Sequence, residues 1–180
     1  MRVVTGIAKG RRLKAPEGLS TRPTTDNVKE SVFNILQLDM KDKRILDLFA
    51  GSGQMGIECL SRGAAEAVFV DRDRKAVRII KENLETCGFS AKVLCADALS
   101  FLEHCDRFDL IFIDPPYDSG LYEKVLRTVN VVDILLDDGI IIVESRVGEE
   151  LPELVPPYRK GRDYRYGNTK ISLYHRERTT

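Results

Sequence analysis

From Arg44 onward the chain alternates short apolar runs with amphipathic stretches, and this alternation constrains the fold more than any other feature. Runs of strand length occur at Arg44–Phe49, Ala67–Asp71, Lys92–Asp97, Leu110–Asp114 and Ile140–Glu144. Helical spacing between them predicts helices over Met55–Arg62, Lys75–Cys87, Leu99–Cys105 and within Leu121–Val129. In the second of these Val77, Ile80 and Leu84 share a face, and Gly88 is the stop signal. Near-continuous apolar strands separated by such helices indicate a parallel sheet covered on both faces. The end of the chain reads differently. Arg162–Tyr166, Gly167-Asn168 and Thr169–His175 form a hairpin signature, with Ile171, Leu173 and His175 on one side. At the front, residues 1–25 read as a basic arm or small hairpin punctuated by Gly and Pro. A helix begins near Thr25-Asp26 and carries Val28, Val32, Ile35 and Leu36 as a stripe. The expectation is a basic arm over 1–25 and one α/β domain over 26–180.

Hydrophobic residues at 43% and charged residues at 31% suit a soluble globular domain, and no apolar run approaches the ~20 residues that span a bilayer. The N-terminus lacks a signal-peptide core, so a cytoplasmic protein with no membrane partner is expected. Cys59, Cys87, Cys95 and Cys105 have no paired spacing and read as buried free thiols. With only His104 and His175 besides, neither in a motif, no metal site or histidine triad is expected. Formal charge sums to zero but is unevenly spread. Residues 1–29 and 159–180 each carry a net +5, leaving −10 in the middle. Basic ends around an acidic centre suggest that the ends meet a polyanion.

Asp114-Pro115-Pro116-Tyr117 closes the fourth apolar run. Two prolines cannot continue a ladder, because each lacks an N–H. The backbone must leave the sheet where a buried strand delivers a carboxylate and an aromatic ring. Acceptors beside a stacking face suit a planar group bearing an NH2, such as a nucleobase amine.

Asp47-Leu48-Phe49-Ala50-Gly51-Ser52-Gly53-Gln54-Met55-Gly56 places G-x-G-x-x-G between a strand and a helix, the context of a nucleotide-type cofactor. A pyrophosphate there would lie against the Asp47 carboxylate, a repulsion on the order of kcal/mol. The same carboxylate favours a cationic amino-acid tail, so S-adenosyl-L-methionine (SAM) fits where a dinucleotide does not. Gly51 and Gly53 would let the backbone approach the cofactor. Asp71, 20 residues after Gly51, would accept the ribose hydroxyls, and Asp97-Ala98 the adenine amine. Phe49, Ala50, Ser52 and Arg72 complete the candidate cofactor set. For Asp71 and Asp97 the competing role is a capped or solvated strand end.

These motifs, with Gly10-Arg11-Arg12-Leu13, Arg22-Pro23-Thr24-Thr25-Asp26 and Lys29-Glu30, resemble the RsmD-type methyltransferases almost end to end. The resemblance implies a Rossmann-like class I SAM-dependent fold, a seven-stranded, mostly parallel sheet with an antiparallel C-terminal hairpin. It also implies methylation of guanine N2 in small-subunit (16S) ribosomal RNA, on naked RNA or an assembly intermediate of the small subunit. A monomer is expected.

On that reading Asp114 and the Pro115 carbonyl hold the amine, Pro116 shapes the turn and Tyr117 stacks on the base. Lys9, Arg11, Arg12, Lys14, Arg22 and Lys29 are the candidate RNA contacts, with Arg162 and Arg165 behind them. A DNA adenine-N6 or cytosine-N4 methyltransferase shares the Asp-Pro-Pro-Tyr logic, but 180 residues leave little room for a target-recognition region. A protein glutamine methyltransferase usually shows Asn before Pro-Pro. An NAD-dependent oxidoreductase is disfavoured by Asp47.

Overall fold

Strand β1 (Arg44–Leu48) is flanked by β2 (Glu66–Asp71) and β4 (Phe108–Ile113), both parallel to it. The computed structural model describes residues 1–15, 26–36, 39–117 and 119–177. With β3 (Lys92–Cys95), β5 (Leu135–Arg146), β6 (Tyr158–Tyr166) and β7 (Thr169–Arg176), the sheet runs β3-β2-β1-β4-β5-β7-β6. The first five strands are parallel, and β7 pairs antiparallel with β5 and β6. This is the expected Rossmann-like methyltransferase sheet with its reversed final hairpin.

The helices are α1 (Asp26–Leu36), α2 (Gln54–Ser61), α3 (Arg74–Cys87), α4 (Ala98–Leu102) and α5 (Leu121–Val132). α4 and α5 cover one face, where Leu102, Val125, Leu126 and Val129 are buried with Leu46, Ile111 and Val143. Each such side chain contributes about 1.5–3 kcal/mol by leaving water. The other face packs Val28, Val32 and Phe33 of α1, with Ile57 and Ile80, against Ile45, Phe69, Phe112 and Ile142. Asp73 starts α3 by accepting the Lys75 N–H, and Gly88 ends it at φ 75°.

Residues 1–15 fold back on themselves and pack into the same core. An antiparallel bridge joins Arg2 and Arg12, and Val3, Ala8 and Leu13 are buried. Gly6 sits at φ 84°, so close to Ser61 that a Cβ would lie 1.7 Å from its carbonyl oxygen. The cysteines are free thiols, but only Cys59 is buried; Cys95 is exposed, which corrects the expectation for that residue. No helix among the described residues is long and apolar enough to cross a membrane.

Candidate active site

Strand register determines which side chains meet. Asp47 pairs with Phe69 and Phe112, and Phe112 pairs with Ile142. Side chains alternate along a strand, so Asp71, Asp114 and Glu144, each two residues further on, share the face of Asp47. A cleft of about 560 Å3 opens at these carboxyl ends, at the point where strand order reverses between β1 and β4. Its walls include Asp47, Asp71, Asp114 and Glu144, the loop Phe49–Ser52, Arg72 and Pro116. Arg72 is the one cationic side chain among the described wall residues.

The Gly-rich loop is built around two of these carboxylates. Phe49, Gly51 and Gly53 all take positive φ, turning the chain sharply from β1 into α2. Gly51 N–H donates to Asp71 Oδ2 at 2.8 Å, and Asp73 N–H donates to Oδ1 at 2.8 Å. Gly56 N–H donates to Asp47 Oδ2 at 2.9 Å. A Cβ at Gly56 would lie 2.4 Å from Phe69 Cε1, so only glycine lets α2 approach β2 this closely. Burial, opposed by the Gly56 N–H and reinforced by Asp71, pushes the Asp47 carboxyl up to about 7.

Asp114 opens onto solvent in the cleft while protein surrounds its other sides. Burial raises its carboxyl well above the usual range, and the charges of Glu144 and then Asp47 raise it further. The direction is upward, since neighbouring carboxylates disfavour a further negative charge. Beside it, the Arg146 guanidinium lies over the Tyr117 ring, 4.5 Å from its centroid. Tyr122 Oη donates to the Glu144 carbonyl at 3.1 Å, tying α5 to the end of β5.

The full-length comparisons agree. The family model "Conserved hypothetical protein 95" matches residues 1–175. "Putative rRNA methyltransferase YlbH" of Bacillus subtilis is 44% identical, over 97% of this chain and 98% of that one. "Ribosomal RNA small subunit methyltransferase D" of Escherichia coli K12 is 36% identical, over 98% and 90%. The chain belongs to the RsmD family of ribosomal RNA methyltransferases. The solved structure "Putative methyltransferase yhhF from Escherichia coli" superposes with a TM-score of 0.88 at 37% identity, covering 98% of each chain. The cofactor of this fold and family is SAM.

The cleft fits that cofactor. An acceptor-rich wall with one arginine suits a cationic ligand better than a phosphate. Gln54 Oε1 is a buried acceptor with no partner, on a side chain that lines the cleft, as an incoming N–H donor would require. Sequence reasoning missed Gln54 and Glu144, although both stood in plain view, one inside the Gly-rich motif and one closing the fifth run.

The other candidate residues fall differently. Asp97 Oδ1 accepts the N–H groups of Leu99 and Ser100, both at 3.1 Å, and so caps α4. Neither Asp97 nor Ala98 is among the cleft's wall residues, and Pro115 and Tyr117 stand just outside them. Lys9, Arg11 and Arg12 are exposed. Lys14 is exposed too but reaches Glu82 Oε2 at 2.7 Å.

Lys29 must be withdrawn as an RNA contact. Its side chain has no exposed surface, donates to the Arg2 carbonyl and lies 3.5 Å from Glu58 Oε2. A lysine on the inner face of α1 meets the protein's own polar groups, whatever the charge of its neighbours in sequence. Arg22 lies outside the described residues.

Proposed function

We propose that the protein methylates the exocyclic N2 amine of a guanine in small-subunit ribosomal RNA. The observation that carries this is Asp114, a cleft carboxylate closing β4 on the same sheet face as Asp47. On this reading Asp47 and Gln54 receive the cofactor's ammonium, Asp71 its ribose hydroxyls, and the Gly51–Gly53 backbone lies against it. Asp97, whose capping contacts all fall on Oδ1, offers Oδ2 to the adenine amine.

When bound, SAM supplies an activated methyl group on a sulfonium, which the amine takes as the carbon–sulfur bond breaks and its electron pair stays on sulfur. The chain's own part is positioning. Asp114 and the Pro115 carbonyl accept the two N2–H bonds, so the nitrogen lone pair faces the methyl group, and Asp114 or water takes the proton released afterwards. Tyr117, one face covered by Arg146, offers its other face to the base. Stacking there contributes ~1–3 kcal/mol.

The test is transfer of labelled methyl from SAM to ribosomal RNA and to small subunits taken from cells lacking this protein, followed by nucleoside analysis. N2-methylguanosine is expected. Label appearing in N6-methyladenosine, or on duplex DNA rather than RNA, would overturn the reading. Comparing naked RNA with subunits identifies which form is the substrate.

A further inference from the structure

Resting on the guanine-N2 reading, we infer that Glu144 selects the base: its carboxylate accepts the N1–H of guanine while Asp114 holds the adjacent N2 amine. The placement follows from the sheet. Ile113 and Val143 are paired neighbours in the parallel β4–β5 ladder. Asp114 and Glu144 are the next residue on each strand, and strand spacing sets the two backbones roughly 5 Å apart. Both side chains line the cleft and share the face that carries Phe112 and Ile142. The backbone of Glu144 is fixed from two sides. Tyr122 donates to its carbonyl, and its partner across the antiparallel ladder is Ile171.

The match to guanine is chemical. Guanine alone among the bases places a ring N–H directly beside an exocyclic NH2. Adenine has a ring lone pair at N1 beside its amine, and cytosine has one at N3 beside its own. A second carboxylate next to the amine-binding one meets a donor in the first case and an acceptor in the other two, where repulsion excludes the base. Three N–H bonds arriving together also relieve the crowding of Glu144, Asp114 and Asp47. Arg146, two residues along the same strand face, lies over Tyr117 and so frames the stacking position next to this edge.

The probe is 2-aminopurine, which keeps the amine at C2 but has a lone pair at N1. RNA carrying guanine or 2-aminopurine at the methylated position, as mapped with the wild-type protein, is offered to wild type, Glu144→Gln and Glu144→Ala. Cofactor binding and unfolding midpoint are measured for each. Wild type should favour guanine by about 10- to 100-fold in kcat/KM, the discrimination of one good base-edge contact. In Glu144→Gln that ratio should collapse, because an amide N–H can donate to N1 of 2-aminopurine, and Glu144→Ala should lose rate on guanine alone. A wild type indifferent to 2-aminopurine, or an unchanged ratio in both variants with cofactor binding intact, overturns the role of Glu144 only. Absence of N2-methylguanosine from the wild-type product overturns the parent reading and this one together.

Discussion

Lys29 Nζ lies 3.5 Å from Glu58 Oε2, and neither side chain has any exposed surface. Glu58 also accepts the N–H groups of Val4 at 2.8 Å and Thr5 at 2.9 Å, and Arg62 Nε at 3.0 Å. One carboxylate thus clamps the N-terminal segment between α1 and α2. Removing one charge from a buried cluster weakens what holds the remaining charges, and breaking a buried pair costs about 3–5 kcal/mol. Glu58→Gln should lower the unfolding free energy by that order in urea denaturation and open residues 1–15 to limited proteolysis. A protease-resistant variant of wild-type stability would show that the clamp is dispensable.

Asp47 makes stability and cofactor affinity respond oppositely to pH. Its folded carboxyl, at about 7, lies above the unfolded value of 3.8. The folded state therefore holds an extra proton between the two, so its contribution to stability is full below about pH 4 and is lost as pH rises to 7. Asp47→Asn should flatten that slope and stabilise the cofactor-free protein at pH 8 by up to about 4 kcal/mol. A cation in the cleft prefers the ionised carboxylate, so wild-type SAM affinity should climb as pH rises towards 7, and the Asp47→Asn variant should show no climb. Calorimetry across pH 5–8 reads the affinities, and urea denaturation over the same range reads the stabilities. Equal SAM affinity for wild type and Asp47→Asn at pH 8 would remove the electrostatic basis of the site.

Much of the sheet was legible because its signals are local. β2 and α3 each begin one residue before the expected start, and Pro115-Pro116 ends β4 where two missing N–H groups require. β5 was harder. The run expected at Ile140–Glu144 is only part of a strand that spans Leu135–Arg146, passing through Asp137-Asp138-Gly139 with Asp138 at φ 61° and a register shift opposite Phe108–Leu110. Tertiary pairing overrides local propensity there. Stopping that strand at Glu144 also hid Arg146, whose contact with Tyr117 joins residues far apart in sequence. Lys29 shows the same limit. Composition marks its segment as basic, but burial depends on which face of α1 meets α2, and charge counting cannot reveal that.

Asp114 is a full-strength acceptor, and can take up the released proton, only when ionised, and burial together with Glu144 holds its carboxyl above the ordinary range. Turnover should therefore fall as pH drops through that raised value. Glu144→Gln removes a charge that raises it, so the acid limb of the profile should move to lower pH. Asp114→Ala should cost on the order of 10²–10³ in turnover, the scale for losing one preorganised electrostatic contact, with SAM affinity near wild type. Single-turnover methyl transfer and calorimetry measure the two separately. A loss of SAM affinity as large as that in Asp47→Asn would contradict the division between cofactor and substrate carboxylates.

Lys9, Arg11 and Arg12 differ from Lys29 in standing on the outside of a segment that is already anchored. Ser61 Oγ accepts the Ala8 N–H at 3.0 Å and donates to the Thr5 carbonyl at 2.6 Å, and Asn83 bridges the Lys14 backbone to the Ser52 carbonyl. Cations on an anchored hairpin lose little backbone entropy when they meet phosphate, so each should act as a nearly independent contact. Replacing all three with alanine should reduce the slope of log K against log salt by about 2–3 for RNA, at roughly 0.7–0.9 per phosphate contact. SAM binding should not change. Filter binding between about 50 and 200 mM salt checks this, and a slope unaltered by the triple substitution would place the RNA on another surface. Lys14 should contribute less than the other three, because Glu82 already neutralises it at 2.7 Å and must be displaced first.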